Sequence, residues 1–151
     1  MMKRSERLKQ LLERLETQDN RATAHPIFLV QQEYRVYGID PQYCRTRYNS
    51  IWVYKDDPEY TYETEDEARK AFSDDEYMHE ESFEDKYEEI FYHTGYQYVC
   101  AHFTEAAAQN YIDQNKHNLA NPRIYVDSQH RCYEWIETLE AIKSIARKMS
   151  E

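Results

Sequence analysis

Nine carboxylates fall within sixteen positions: Asp74, Asp75, Glu76, Glu80, Glu81, Glu84, Asp85, Glu88 and Glu89. Duplex DNA presents one charge about every 1.7 Å of its axis, and grooves that hold it are lined with Lys and Arg. An acidic protein surface of similar density is drawn to such grooves and repelled by nucleic acid itself. The block lies in a wider segment, residues 56–92, with sixteen acidic residues against three basic ones, Arg69, Lys70 and Lys86. The segment therefore carries −13 in a chain whose total is −10. Read as a helix, the block contains the i,i+4 pairs Glu76–Glu80, Glu80–Glu84, Glu81–Asp85, Glu84–Glu88 and Asp85–Glu89, which repel. Retention of that repulsion argues for use in binding; the competing reading is a solvated face that maintains solubility. Aromatic residues stand among the acids, which a purely solvating tail lacks, so the segment is expected to fold. Charge gives encounter and orientation, while lasting affinity needs buried anchors, a role expected of Tyr77, Phe83 and Tyr87.

Two further groups of residues could do chemistry. Cys100 and His102, like His130 and Cys132, are spaced i,i+2, which puts each pair on one face of a strand. Two cysteines and two histidines can bind zinc, but structural zinc pairs ordinarily have two to four residues between ligands. A small, buried Cys100 in the core is the plainer reading. Glu84-Asp85-Lys86 has the Glu-x-Lys form of metal-dependent nucleases, and Asp56 or Asp57 could complete a magnesium site. A nuclease must attract phosphates, and the surrounding charge opposes that. Cysteine catalysis has no local motif, and His117, Asn118 and Arg123 read as turn-fixing and ion-pairing residues. No catalytic residue and no cofactor is expected.

The elements that must position these residues are short and interleaved. Residues 3–18 form an amphipathic helix with Leu8, Leu11, Leu12 and Leu15 on one stripe, used either within its own domain or to pair with a second copy. Strands are expected at 27–39, 50–54, 60–62, 96–103 and 123–127, from β-branched and aromatic enrichment between turn residues. Thr64 and Thr104 each follow a strand and open a helix, Thr64 with a Thr-x-x-Glu capping pattern. The two strand–helix segments could be an internal duplication. A last helix covers 133–149, with Ile136, Leu139, Ile142 and Ile145 inward. The expected fold is α+β, a single domain over residues 1–151, with a mostly antiparallel sheet and the N-terminal and C-terminal helices packed on it. Within it lie the N-terminal helix (1–20), the acidic segment (56–92) and a strand–helix–strand–helix unit (96–149).

Composition excludes several classes. With two glycines there is no Gly-rich phosphate loop. No apolar run reaches the ~20 residues of a membrane span, and residues 1–6 lack a signal-peptide core. Three widely spaced cysteines are expected to be reduced thiols in a cytoplasm.

The stretch His102-Phe103-Thr104-Glu105-Ala106-Ala107-Ala108, then Tyr111-Ile112, then 117–126 (HNLANPRIYV) and Tyr133-Glu134-Trp135, resembles small accessory proteins of tailed bacteriophages and prophages. It covers roughly the last third of the chain, and no catalytic assignment comes with it. The resemblance implies a phage protein acting in the cytoplasm of a bacterial host. The acidic block lies outside the resembling stretch and is similar in kind to those of anti-CRISPR and anti-restriction inhibitors. The expected function is inhibition of a nucleic-acid-directed defence system, a CRISPR effector first and a restriction complex next. The mode is protein–protein binding through a nucleic-acid-mimicking surface. Two other readings stand beside it: a non-inhibitory scaffold that dimerises through the leucine stripe, and the metal-dependent nuclease.

Overall fold

The computed structural model describes residues 2–75 and 80–149. Along the chain run α1 (Arg4–Thr17), β1 (Pro26–Tyr37), β2 (Asn49–Tyr54), β3 (Thr61–Tyr62) and α2 (Glu65–Asp74). Then come α3 (Phe83–Lys86), β4 (Tyr87–His102), α4 (Glu105–Asn115), a 3-10 turn (Lys116–Asn118), β5 (Arg123–Ser128) and α5 (Tyr133–Lys148). The strands form a five-stranded sheet in the order β3-β2-β4-β1-β5. β1–β5, β2–β3 and β2–β4 all pair antiparallel. The α+β class with helices at both ends is the one the sequence predicts. The chain gathers into two compact units, residues 1–33 with 96–151, and residues 34–95.

In the first unit, Phe28 pairs with Val126 and Val30 with Ile124 across β1 and β5. This puts four apolar side chains on one face of the strands. Ala108 and Ile112 of α4 close over them, and Phe28, Val30 and Ala108 are fully buried. An alanine at the contact lets the helix lie close to the strands. Thr104 holds the start of that helix: its hydroxyl accepts from the Ala107 N–H at 3.2 Å, and the residue is 2% exposed. α1 lies against α5, joined at the surface by Arg147 to Glu16 at 2.8 Å. Leu15 is buried, and Leu8, Leu11 and Leu12 are half-buried. The leucine stripe thus packs within the chain, through Leu15 above all.

The second unit repeats the local design of the first. Thr64 accepts from the Glu67 N–H at 3.2 Å, and Ala68, four residues on like Ala108, is fully buried. Cap backbone angles agree closely, φ −127°, ψ 156° at Thr64 and φ −126°, ψ 147° at Thr104. The strand–threonine–helix likeness read from the sequence is therefore a likeness of structure as well. Removing an N-cap hydroxyl costs about 1 kcal/mol, and leaving buried donors unsatisfied adds to it. Urea denaturation should therefore show Thr104→Ala to be more destabilising than Thr64→Ala, whose cap is exposed.

Candidate functional site

Residues 34–95 hold seventeen acidic and seven basic residues, a net charge of −10. The remaining residues hold twelve of each and are neutral. All of the chain's excess charge therefore belongs to one of the two compact units. That unit stands on an aromatic core. Phe83 and Tyr87 stack at 5.1 Å with an interplanar angle of 11°. Around them are Trp52 at 5.3 Å from Phe83, and Tyr54 and Tyr62 at 5.4 and 5.8 Å from Tyr87. Phe72 of α2 meets both rings of the stack edge-on. The cross-strand pairs Trp52–Tyr62 and Tyr54–Tyr87 explain the arrangement, because they place these rings on one face of the sheet, where α2 and α3 cover them.

Phe83 and Tyr87 are each 5% exposed. They are core residues, and the expectation that they anchor a partner is corrected accordingly. A ring at the start of a four-residue helix has nowhere to go but the core when Trp52 and Phe72 already wall it. Tyr77, the third expected anchor, and Glu76 lie outside the described residues.

The acidic block is also not one helix. α2 ends at Asp74, α3 spans four residues, and Tyr87 already belongs to β4. Glu84–Glu88 and Asp85–Glu89 therefore do not form helical i,i+4 pairs. The break at Ser82 likewise separates Glu80 from Glu84 and Glu81 from Asp85. Strand alternation sends Glu88 and Glu89 to opposite faces, Glu88 opposite Val53 and Glu89 opposite Trp52. The repulsion inferred from the sequence is largely avoided, so it no longer argues for binding. Placement of the charge does.

Several of the acids have work within the unit. Asp85 accepts from the Ser82 hydroxyl at 2.7 Å and from its N–H, which holds its carboxyl below the usual carboxylate range. Lys86 donates to Asp56 at 2.6 Å and lies 2.8 Å from Glu81, and the Asp56 bond pushes its ammonium up. Arg69 pairs with Glu65 at 2.7 Å and lies 4.2 Å over the Phe83 ring, with Glu84 at 3.7 Å. Asp75 is half-buried. Glu65, Asp66 and Glu67 occupy the first turn of α2, where the helix dipole favours them. Asp74, Glu80, Glu88 and Glu89 are exposed and carry no ion pair among the described residues. They are the exposed remainder of the block, with Glu88 and Glu89 on opposite faces of the sheet.

The other constellations resolve into structure. Lys86, the basic member of Glu84-Asp85-Lys86, is held between Asp56 and Glu81, and Asp85 caps α3. Of the carboxylates such a site would use, Asp56 is bound by the Lys86 ammonium and Glu84 lies 3.7 Å from Arg69. Cys100 Sγ lies 3.2 Å from His102 Nε2, on the shared face expected of i,i+2 residues. Burial pushes the thiol up and the imidazole down, which disfavours the thiolate that metals and electrophiles require. His130 and Cys132 are exposed, and His130 meets the Ser128 hydroxyl. Among the described residues no three His, Cys, Asp or Glu side chains are grouped to hold a metal ion. Likewise, no helix there is long and apolar enough to cross a membrane.

Comparison with protein families, curated proteins and solved structures gives no match.

Sequence reasoning missed one feature of the unit. A pocket of about 450 Å³ is lined by Ile51, Val53, Ile90, Tyr37, Pro58, Thr61 and Tyr62, with Arg35 and Glu63 as its charged members. The signal was present in the alternation Glu88-x-Ile90-x-Tyr92, hidden because β4 was expected to begin at residue 96.

Burial pushes the Tyr87 phenol up to about 12, with Tyr62 beside it adding to the shift. The folded chain thus favours the neutral phenol. This contribution is whole below pH 10, the ordinary tyrosine value, and is lost as the pH rises toward 12. Stability measured by urea denaturation should fall across that window, and Tyr87→Phe should flatten the fall.

Proposed function

We propose that this chain is a non-enzymatic binding protein whose acidic unit occupies a groove built for a phosphate backbone. The observation that carries this reading is the placement of the whole net charge, −10, in residues 34–95. A protein that needed charge for solubility alone would gain as much by spreading it. The fixed aromatic core under the block supports the same reading, because it presents the carboxylates at set positions in place of a mobile tail. With the resemblance of the C-terminal third to phage accessory proteins, the partner is a host defence protein that binds nucleic acid. A CRISPR effector comes first and a restriction complex second, met in the cytoplasm of a bacterial host. The chain itself does not bind nucleic acid.

A plaque assay on hosts that carry a defined CRISPR or restriction system tests the biological claim. Expression of this protein should restore plating of a targeted phage. A gel-shift assay with the purified effector tests the mode: the protein should displace DNA or RNA from it, and less well as salt rises, since screening acts over about 8–10 Å. Unchanged plating with every system tried, or inhibition indifferent to salt and competing nucleic acid, would refute the proposal. A dimeric scaffold finds less support, since α1 packs on α5; a monomeric mass in solution would remove it.

A further inference from the structure

We infer that the pocket on the sheet face opposite α2 and α3 is the unit's apolar anchor site, and that it takes a large apolar side chain flanked by lysine or arginine, presented by the basic partner. The inference rests on the reading of the partner as a basic protein and supplies what charge alone does not. Electrostatic attraction raises the rate of encounter, while slow dissociation needs a desolvated apolar contact. Phe83 and Tyr87 cannot provide that contact because they are core.

Strand pairing decides which face is open. Trp52, Tyr54 and Tyr87 point toward the helices, so Ile51 and Val53 between them on β2, and Ile90 opposite Ile51, point the other way; Val53 is buried at the base of the pocket and Ile51 and Ile90 are half-buried. Ile51 and Ile90 are directly opposed, Val53 and Glu88 likewise. The result is an apolar floor about 450 Å³ in capacity, within the ~300–1,000 Å³ of ligand pockets. It runs on into a polar pocket of about 500 Å³ that shares Arg35, Ile51 and Glu63 and adds Asn49 and Ser50. An extended segment could thus set one side chain on the apolar floor and its polar neighbour in the continuation.

Charge complementarity selects the occupant. Glu63 lies at the rim of both pockets and Glu88 on the same sheet face, inside a unit of net −10. Among the described residues that line the two pockets the cation is Arg35, whose guanidinium lies 4.9 Å over the Tyr92 ring. Two carboxylates against one engaged guanidinium favour a cationic neighbour beside the apolar group.

The test uses the full chain, isotope-labelled for NMR, and three capped peptides, Lys-Phe-Arg, Gln-Phe-Gln and Lys-Gly-Arg. The expected result is saturable shifts at the Ile51, Val53 and Ile90 amides with Lys-Phe-Arg, with each control about tenfold weaker. Thr61 is exposed on the edge strand, so Thr61→Trp should block the pocket with the spectrum otherwise preserved. That variant should lose peptide binding and release the partner about tenfold faster, with the salt dependence of association unchanged. Equal binding of Lys-Gly-Arg, or shifts confined to Glu80 and Glu84, would overturn the inference. So would full-strength inhibition by Thr61→Trp where the fourfold variant Asp74→Lys, Glu80→Lys, Glu88→Lys, Glu89→Lys fails, an outcome that leaves the acidic surface standing. Peptide binding in the pocket of a protein that inhibits no defence system would uphold the anchor site and refute the proposed function.

Discussion

Replacing Asp74, Glu80, Glu88 and Glu89 together by lysine should abolish inhibition while the protein stays folded. Four reversals change the charge of the 34–95 unit from −10 to −2. Close charge pairs across an interface couple by about 1.5–7 kcal/mol, and like charges set opposite each other cost several more. Loss of at least about a hundredfold in affinity is therefore expected, equivalent to about 2.7 kcal/mol. The four residues are chosen because each is exposed and without an ion pair among the described residues. Asp56, Glu81 and Asp85 are poor choices, since they hold Lys86 and cap α3, and their reversal would damage the fold first. Surface plasmon resonance against the effector, with circular dichroism as the fold check, measures the result. A folded quadruple variant that binds at full strength would show that the contact surface lies elsewhere, with residues 117–135 the next region to examine.

Phe83→Ala should destabilise the 34–95 unit by about 3–5 kcal/mol, the range for deleting a large buried ring. Phe83 touches Trp52, Phe72 and Tyr87, and Arg69 lies over its ring, so truncation removes the centre of the cluster. Tyr87→Ala should act alike. Urea denaturation followed by Trp52 fluorescence is suited to this, because its indole is 5.3 Å from the ring removed. Binding should be lost in step with folding. Were either ring a partner anchor, its removal would instead speed dissociation from a protein of unchanged stability. The stability measurement separates the two.

Much of the architecture was legible in the sequence because it depends on local pattern. The leucine spacing marked α1, the apolar period marked α5, and threonine before an acidic or alanine-rich run marked the starts of α2 and α4. Those signals act within a few residues, through capping hydrogen bonds and one buried face, and tertiary context had no reason to override them. The location of the charge in one segment was equally a property of sequence.

What the sequence misread depends on pairing between distant strands. Glu88 and Glu89 look like further turns of an acidic helix, yet residues 87–92 pair with β2 from Tyr54 back to Asn49. That pairing ends the helix after Lys86, removes the expected repulsion and turns Tyr87 into the core. It also aligns Ile51 with Ile90 and so creates a pocket that neither strand has alone. The fate of Phe83 was decided in the same way, by Trp52, thirty-one positions earlier, and by Phe72. The amino-acid sequence alone determined how much charge the chain carries and in which segment. Which carboxylates face outward, which aromatics are core and where an apolar anchor can sit were decided by strand register, because a side chain's face follows from its partner across the sheet.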